Sequence, residues 1–213
     1  SKKKLKGIDQ IDVDLVNNND QISQLNIKRK KSNYSINSKI FDGTKTLDRI
    51  LFSKSDGNFF DVFEKLNSKI SINFDTIYIT NEDYLTNFKA DMIVNNNQIK
   101  DLILSSQFAT KEDLKLSIKT NSNNEKITDL FAGNAKPLVK KYDFIKGFEG
   151  GYLKFDSIEK NKVSNSNLKI FDFKLKEVPA LTKLLTLASL QGIADLLTGE
   201  GIRFNEFEMI FNN

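Results

Sequence analysis

From Ile70 to Ile118 the sequence repeats one motif: apolar and polar residues alternate, and a short polar turn then breaks the run. The segments 70–79, 85–94, 99–108 and 114–118 follow this period of two, with Asn81-Glu82-Asp83, Asn95-Asn96-Asn97 and 121–124 as breaks. A period of two is the signature of a strand with one apolar face, and short polar turns join strands as hairpins. The same rhythm occurs earlier at 5–16, from Ile22 to Ile27 and from Tyr34 to Ile40, the last closed by Asp42-Gly43. A further strand is expected over 47–52. Later strands are expected at 152–158, after a turn built from Gly147, Gly150 and Gly151, and at 168–175. These features predict a mainly β chain with a long, twisted, antiparallel sheet. The apolar face of such a sheet must be buried against a second sheet, against helices, or against something that is not protein.

Few helices are available for that cover. Short ones are expected at 58–66, capped by Asn58, and at 136–145, with Pro137 near its start. The long helical pattern is at 179–198. There Leu181, Leu184, Leu185, Ala188, Ile193, Leu196 and Leu197 recur at steps of three and four, and Gly199 stops the run. A final strand follows at Ile202, Phe204, Phe207, Met209 and Phe211. The expected architecture is therefore a sandwich or a curved sheet with an open concave face. The segments 69–75 and 151–156 each start a strand just after a short helix. One β-rich domain over 1–213, with two repeat-like halves of about 1–130 and 131–213, is one reading, and chance similarity of two copies is the other.

Composition excludes several chemistries. The chain has 213 residues with no Cys, no His and no Trp. Thiol nucleophiles, thiolate metal sites and disulfides are out, and so is the commonest general base. Net charge is +4, and the cations cluster at Lys2, Lys3, Lys4 and Lys6 and at Lys28-Arg29-Lys30-Lys31. Both clusters read as solvated termini and strand ends, so no nucleic-acid partner is expected. Asp12 and Asp14 share a strand face, as do Glu206 and Glu208, but hard cations need six or more oxygen ligands, and solvent-facing stripes are the reading. Gly199-Glu200-Gly201 follows a helix rather than opening one, so it is a cap and turn and not a phosphate loop. A hydrolase working through two carboxylates has no motif behind it. No cofactor, no metal and no enzymatic activity are expected. No apolar run approaches membrane-span length. A first residue other than Met, and a last strand that reaches the final residues, point to a piece of a longer polypeptide.

The stretch Val178–Phe211 resembles the AsmA-like family of bacterial envelope proteins. The motif stands here as V-P-A-L-T-K-L-L-T-L-A-S-L-Q-G-I-A-D-L-L-T-G-E-G-I-R-F, with Gly150-Gly151-Tyr152-Leu153 and the Asn87-Phe88 strand opening as further similarities. The specific part of the resemblance covers the C-terminal third, and the first 130 residues match in rhythm. It implies a U-shaped, taco-like β-groove lined with apolar side chains. It also implies a periplasmic location, with an inner-membrane tether supplied by an N-terminal helix outside this chain. The implied role is non-enzymatic: moving phospholipid between the two membranes, or outer-membrane biogenesis, with phospholipid acyl chains and envelope membrane proteins as partners. The alternative is a structural β-scaffold without bound lipid. Groove positions, taken from the more apolar strand faces, are expected at Ile72, Phe74, Phe88, Ala90, Met92, Leu153, Phe155, Leu184, Leu187 and Phe204.

Overall fold

The computed structural model describes residues 9–16, 22–44, 65–141, 145–161, 163–176 and 201–212. The expected strand at 47–52, nearly all of the expected helix at 58–66, and the long apolar helix at 179–198 lie outside these residues. Strands make up 74% of the described residues. The chain divides into two compact units, 1–128 and 129–213.

The first unit holds β1 (Gln10–Val16), β2 (Ile22–Lys30), β3 (Asn33–Asp42), β4 (Ser68–Tyr78), β5 (Tyr84–Asn95), β6 (Gln98–Phe108) and β7 (Asp113–Thr120). β8 (Lys126–Ala132) straddles the boundary. The second unit adds the short helix α1 (Lys136–Lys141) and the strands β9 (Phe148–Lys160), β10 (Val163–Leu175) and β11 (Ile202–Asn212). Within the first unit each strand from β1 to β7 is hydrogen-bonded to its neighbours in sequence, and within the second β9, β10 and β11 follow in the same way. Alternation and polar turns account for this order, because each hairpin brings the next strand beside the last. The β5–β6 turn is a tight example: Asn95 pairs with Gln98, and Asn96 and Asn97 take φ of 51° and 62°. Two left-handed residues are what a two-residue hairpin turn needs, and Asn tolerates that region well.

The sheet is mixed rather than wholly antiparallel, because β3 runs parallel to β4. The Asp42-Gly43 signal does not make a hairpin. Asp42 Oδ1 accepts from the Thr44 N–H at 3.0 Å and from its hydroxyl at 2.7 Å, while the Gly43 N–H donates to the Tyr78 carbonyl at 2.9 Å. Gly43 thus extends the parallel ladder, and a Cβ there would lie 2.9 Å from the Ile77 side chain. A parallel pair needs a long connection, and residues 43–67 separate the two strands. Two glycines expected in a turn, Gly150 and Gly151, lie inside β9 with φ of 71° and 74°. Helix α1 is shorter than expected, with residue 145 outside it. Asn134 Oδ1 accepts from the Lys136 N–H at 3.2 Å, and Pro137 and Val139 are buried. β8 was not anticipated.

Candidate functional site

Strand register decides which side chains share a face. In the first unit, Ile72 pairs with Ala90, Phe74 with Phe88, and Ile70 with Met92. Next door, Ala90 pairs with Leu104 and Met92 with Leu102, and those two pair with Leu116 and Ile118. On the other side Tyr34, Ile36 and Ser38 stand beside Ile70, Ile72 and Phe74. Ile27 and Leu25 continue the row, then Ile11 and Val13. One apolar face therefore runs across every strand from β1 to β7. The opposite face carries Lys69, Asp75, Lys89 and Asp91, all exposed.

One end of the face holds a packed cluster. Tyr34, Leu66, Ile70 and Val94 form a buried cluster, with Ile27, Ile36, Ile72 and Met92 half-buried against it. The β5–β6 turn ties this end down: Asn97 Oδ1 accepts from the Leu66 N–H at 2.5 Å, and Asn67 Oδ1 from the Asn96 N–H at 2.9 Å. Towards the other end the burial phase slips. Phe74 and Ile77 are both buried, as are Leu85 and Phe88, although each pair is three apart rather than two. The slip follows a line across three strands, through Lys39, Asp75 and Asn87, which the ladders leave unpaired between matched pairs on either side. Asn87 has φ 53°, and Asn87 and Phe88 together oppose Ser106 of β6, a β-bulge. The Ser106 hydroxyl donates to the Thr86 carbonyl at 2.8 Å, satisfying an acceptor at the bulge. Without the slip, everything beyond the line would turn to the other face. With it, Phe41 beyond the line stacks on Phe74 before it, their centroids 4.9 Å apart.

The second unit repeats the arrangement. Leu153 pairs with Ile170 and Phe155 with Leu168, and these continue to Phe207 and Met209 of β11. A second phase line runs through Gly151, Asp172 and Asn205, with Asp172 at φ 54°. Beyond it Phe148, Phe173 and Phe204 stack in a row, their centroids 5.1 and 5.2 Å apart. Among the described residues the buried polar side chains are all serines. Among them, Ser157 and Ser166 bond each other at 2.8 Å, and Ser38 donates to the Ile40 carbonyl at 2.7 Å.

Of the ten expected groove positions, eight lie on these apolar faces. Phe74, Phe88, Ala90 and Leu153 are buried, and Ile72, Met92, Phe155 and Phe204 are half-buried. Leu184 and Leu187 lie outside the described residues. Residues that sequence reasoning missed are Phe41, Leu104, Leu116 and Phe148; an alternation count across neighbouring strands would have found Leu104 and Leu116. Compared with known proteins, no family model, no curated protein and no solved structure matches the chain.

The charged pairs sit on the outer faces. Asp12 accepts from Gln10 at 2.6 Å and from Asn26, and these hydrogen bonds hold its carboxyl below the ordinary range. Lys169 Nζ lies 3.1 Å from Glu208 and 3.3 Å from Glu206, which lowers the pKa of Glu208 and raises that of Lys169. Glu149 is held low by Lys176 at 3.0 Å. Among the described residues no three acidic side chains gather as a metal site, and no helix is long and apolar enough to cross a membrane.

Proposed function

We propose that the chain is a non-enzymatic segment of a cell-envelope protein that shields phospholipid acyl chains along its apolar sheet faces, as the resemblance to the AsmA-like family implies. On this reading it works in the periplasm, tethered to the inner membrane by a segment outside this chain, and takes part in lipid movement between the membranes or in outer-membrane biogenesis. The supporting observation is the continuity of the face. Seven strands of the first unit contribute apolar residues in register; the polar residues in the same rows include the small serines Ser38 and Ser106 and, beside Tyr34 at one end, Arg29. Burying an acyl chain is worth roughly 0.8 kcal/mol per methylene, so a row of equivalent apolar positions holds a tail without trapping it at one point. Charged outer faces keep water on the other side.

A β-scaffold without lipid is the second reading, favoured by the deep burial of Phe74, Phe88 and Leu153. The two readings separate at the half-buried positions. A photo-crosslinking residue at Met92 or Phe155 captures phospholipid in cells if the face carries lipid, and one at Lys89 on the opposite face does not. Met92→Asp then abolishes capture while the chain still folds. If Met92 and Phe155 capture nothing and Met92→Asp unfolds the protein, the face is ordinary core and the scaffold reading stands.

A further inference from the structure

Four cations follow one another at Lys28-Arg29-Lys30-Lys31, and alternation sorts them. Lys28 and Lys30 fall on the charged face of β2, and Lys31 takes the turn with φ 59°. Arg29 falls on the apolar face, two residues on from Ile27 and directly opposite Tyr34 of β3. Its row continues through Tyr34, Ile70 and Met92, and the row beside it holds Ile27, Ile36 and Ile72. The guanidinium is held in place. Nε donates to the Lys31 carbonyl at 2.6 Å, which fixes the plane of the fork. Nη1 lies 3.5 Å from Asp9, whose side chain is 95% exposed, so that pair is screened and weak. Tyr34 is held as well, because its ring belongs to the buried cluster with Leu66, Ile70 and Val94. Among the described residues no hydrogen bond engages its hydroxyl.

A fixed cation and a fixed phenol thus stand at one end of an apolar face. Resting on the lipid reading above, we propose that Arg29 and the Tyr34 hydroxyl take the phosphate of a phospholipid whose acyl chain lies over Ile27, Ile36 and Ile72. Those three are the half-buried residues beside the cluster, the part of the face nearest Arg29 that is still open to contact. A guanidinium binds phosphate through two parallel N–H donors, and anchoring Nε leaves the Nη groups to supply them. Asp9 is the competitor, and its hydration makes it easy to displace. Charge also sets the direction of the lipid. The opposite end of these strands turns at 79–83 and 109–112, which carry Glu82, Asp83 and Glu112 against Lys111, so phosphate is favoured at the Arg29 end.

The test is titration calorimetry on the folded chain with three soluble probes: dihexanoylphosphatidylglycerol, dihexanoylglycerol and glycerol phosphate. The two lipids share their chains and differ in the phosphate headgroup. The first should bind roughly tenfold more tightly than the second, and added salt should narrow the gap. Glycerol phosphate, with no chain to bury, should show no measurable binding. Arg29→Gln should close the gap and leave the affinity for dihexanoylglycerol unchanged, and Tyr34→Phe should narrow it about twofold. Should Arg29→Gln fail to fold, Arg29→Lys, which keeps a cation but loses the fork, should narrow the gap instead. Equal binding of the two lipids, or a gap that either Arg29 variant leaves intact, would overturn the proposal while the lipid reading stands. Glycerol phosphate bound as tightly as its lipid would overturn it too, since the site would then serve free phosphate. Binding of neither lipid would sink the lipid reading and the proposal with it.

Discussion

The first unit slips its burial phase along Lys39, Asp75 and Asn87, and the second along Gly151, Asp172 and Asn205, but the two lines are built differently. In the first, β4 keeps its register with β3 and β5 on both sides of the line, but against β6 a bulge interrupts it: Asn87 and Phe88 stand against Ser106 alone. In the second the register stays matched on both sides of the line, and left-handed backbone at Gly151 and Asp172 turns the strands instead. A bulge spreads distortion over two residues and a hydroxyl contact. Matched left-handed positions concentrate it where two backbones nearly touch. A Cβ at Gly151 would lie 2.7 Å from the Phe171 carbonyl oxygen and 2.9 Å from Phe173 Cβ. The second line should therefore be the more brittle.

The largest expected effect tests that difference directly. Gly151→Ala forces a side chain into the left-handed region and into backbone, and should cost about 3 kcal/mol. Asn87→Ala strains the same region in more open surroundings and should cost about 1 kcal/mol, while Asn87→Gly should be close to neutral. Urea midpoints of the three variants check this, and the comparison breaks if Asn87→Ala costs as much as Gly151→Ala.

A smaller effect separates how each unit satisfies its buried hydroxyls. Ser157→Ala should cost about 1 kcal/mol by stranding the Ser166 hydroxyl, and Ser157→Ala with Ser166→Ala should recover much of it, because both partners leave together. In the first unit Ser106→Ala strands the Thr86 carbonyl and has no such rescue. A double variant no more stable than Ser157→Ala would show that the hydroxyls have other partners.

The smallest effect is electrostatic. Glu208 and Glu149 have lowered pKa values, so their contribution is present above the unfolded value near 4.3 and is lost as pH falls through the folded one. Lys169 has a raised pKa, so its contribution is present below about 10.4 and fades as pH rises through its folded value. All these groups are exposed, so the melting temperature should fall only slightly below pH 4, and Glu208→Gln should flatten part of that fall. A steep acid transition removed by Glu208→Gln would mean that the rim of β11 carries more of the second unit's stability than its exposure allows.

Much of this was legible in sequence because alternation is a local signal. Ile70, Ile72 and Phe74 announce β4, and Ala90, Met92 and Val94 announce β5; once the hairpin register is fixed, the shared face follows. The parts that were not legible depend on non-local geometry. Asp42-Gly43 has the chemistry of a hairpin turn, and only the ladder to Tyr78 shows that it ends a parallel pair. Gly150 and Gly151 look like a loop because glycine marks both turns and strand kinks. β8 was missed because Asp129 separates Ile127 and Thr128 from Leu130 and Phe131, so no clean alternation survives. The phase slips hid in plain sight, as single Asn and Asp residues inside apolar runs.

The order of the strands also has a kinetic consequence. Within each unit every ladder joins a strand to the one made just before it, so most steps of pairing close a short stretch of chain and none waits for anything downstream. The entropy of loop closure grows slowly with length and is small for most of these hairpins, but is larger for β3 with β4 and for β10 with β11, which must span residues 43–67 and 176–201. A sheet of this kind can assemble behind the ribosome as it is synthesised. In evolution it can gain or lose a hairpin at many positions without rewiring the pairs already made.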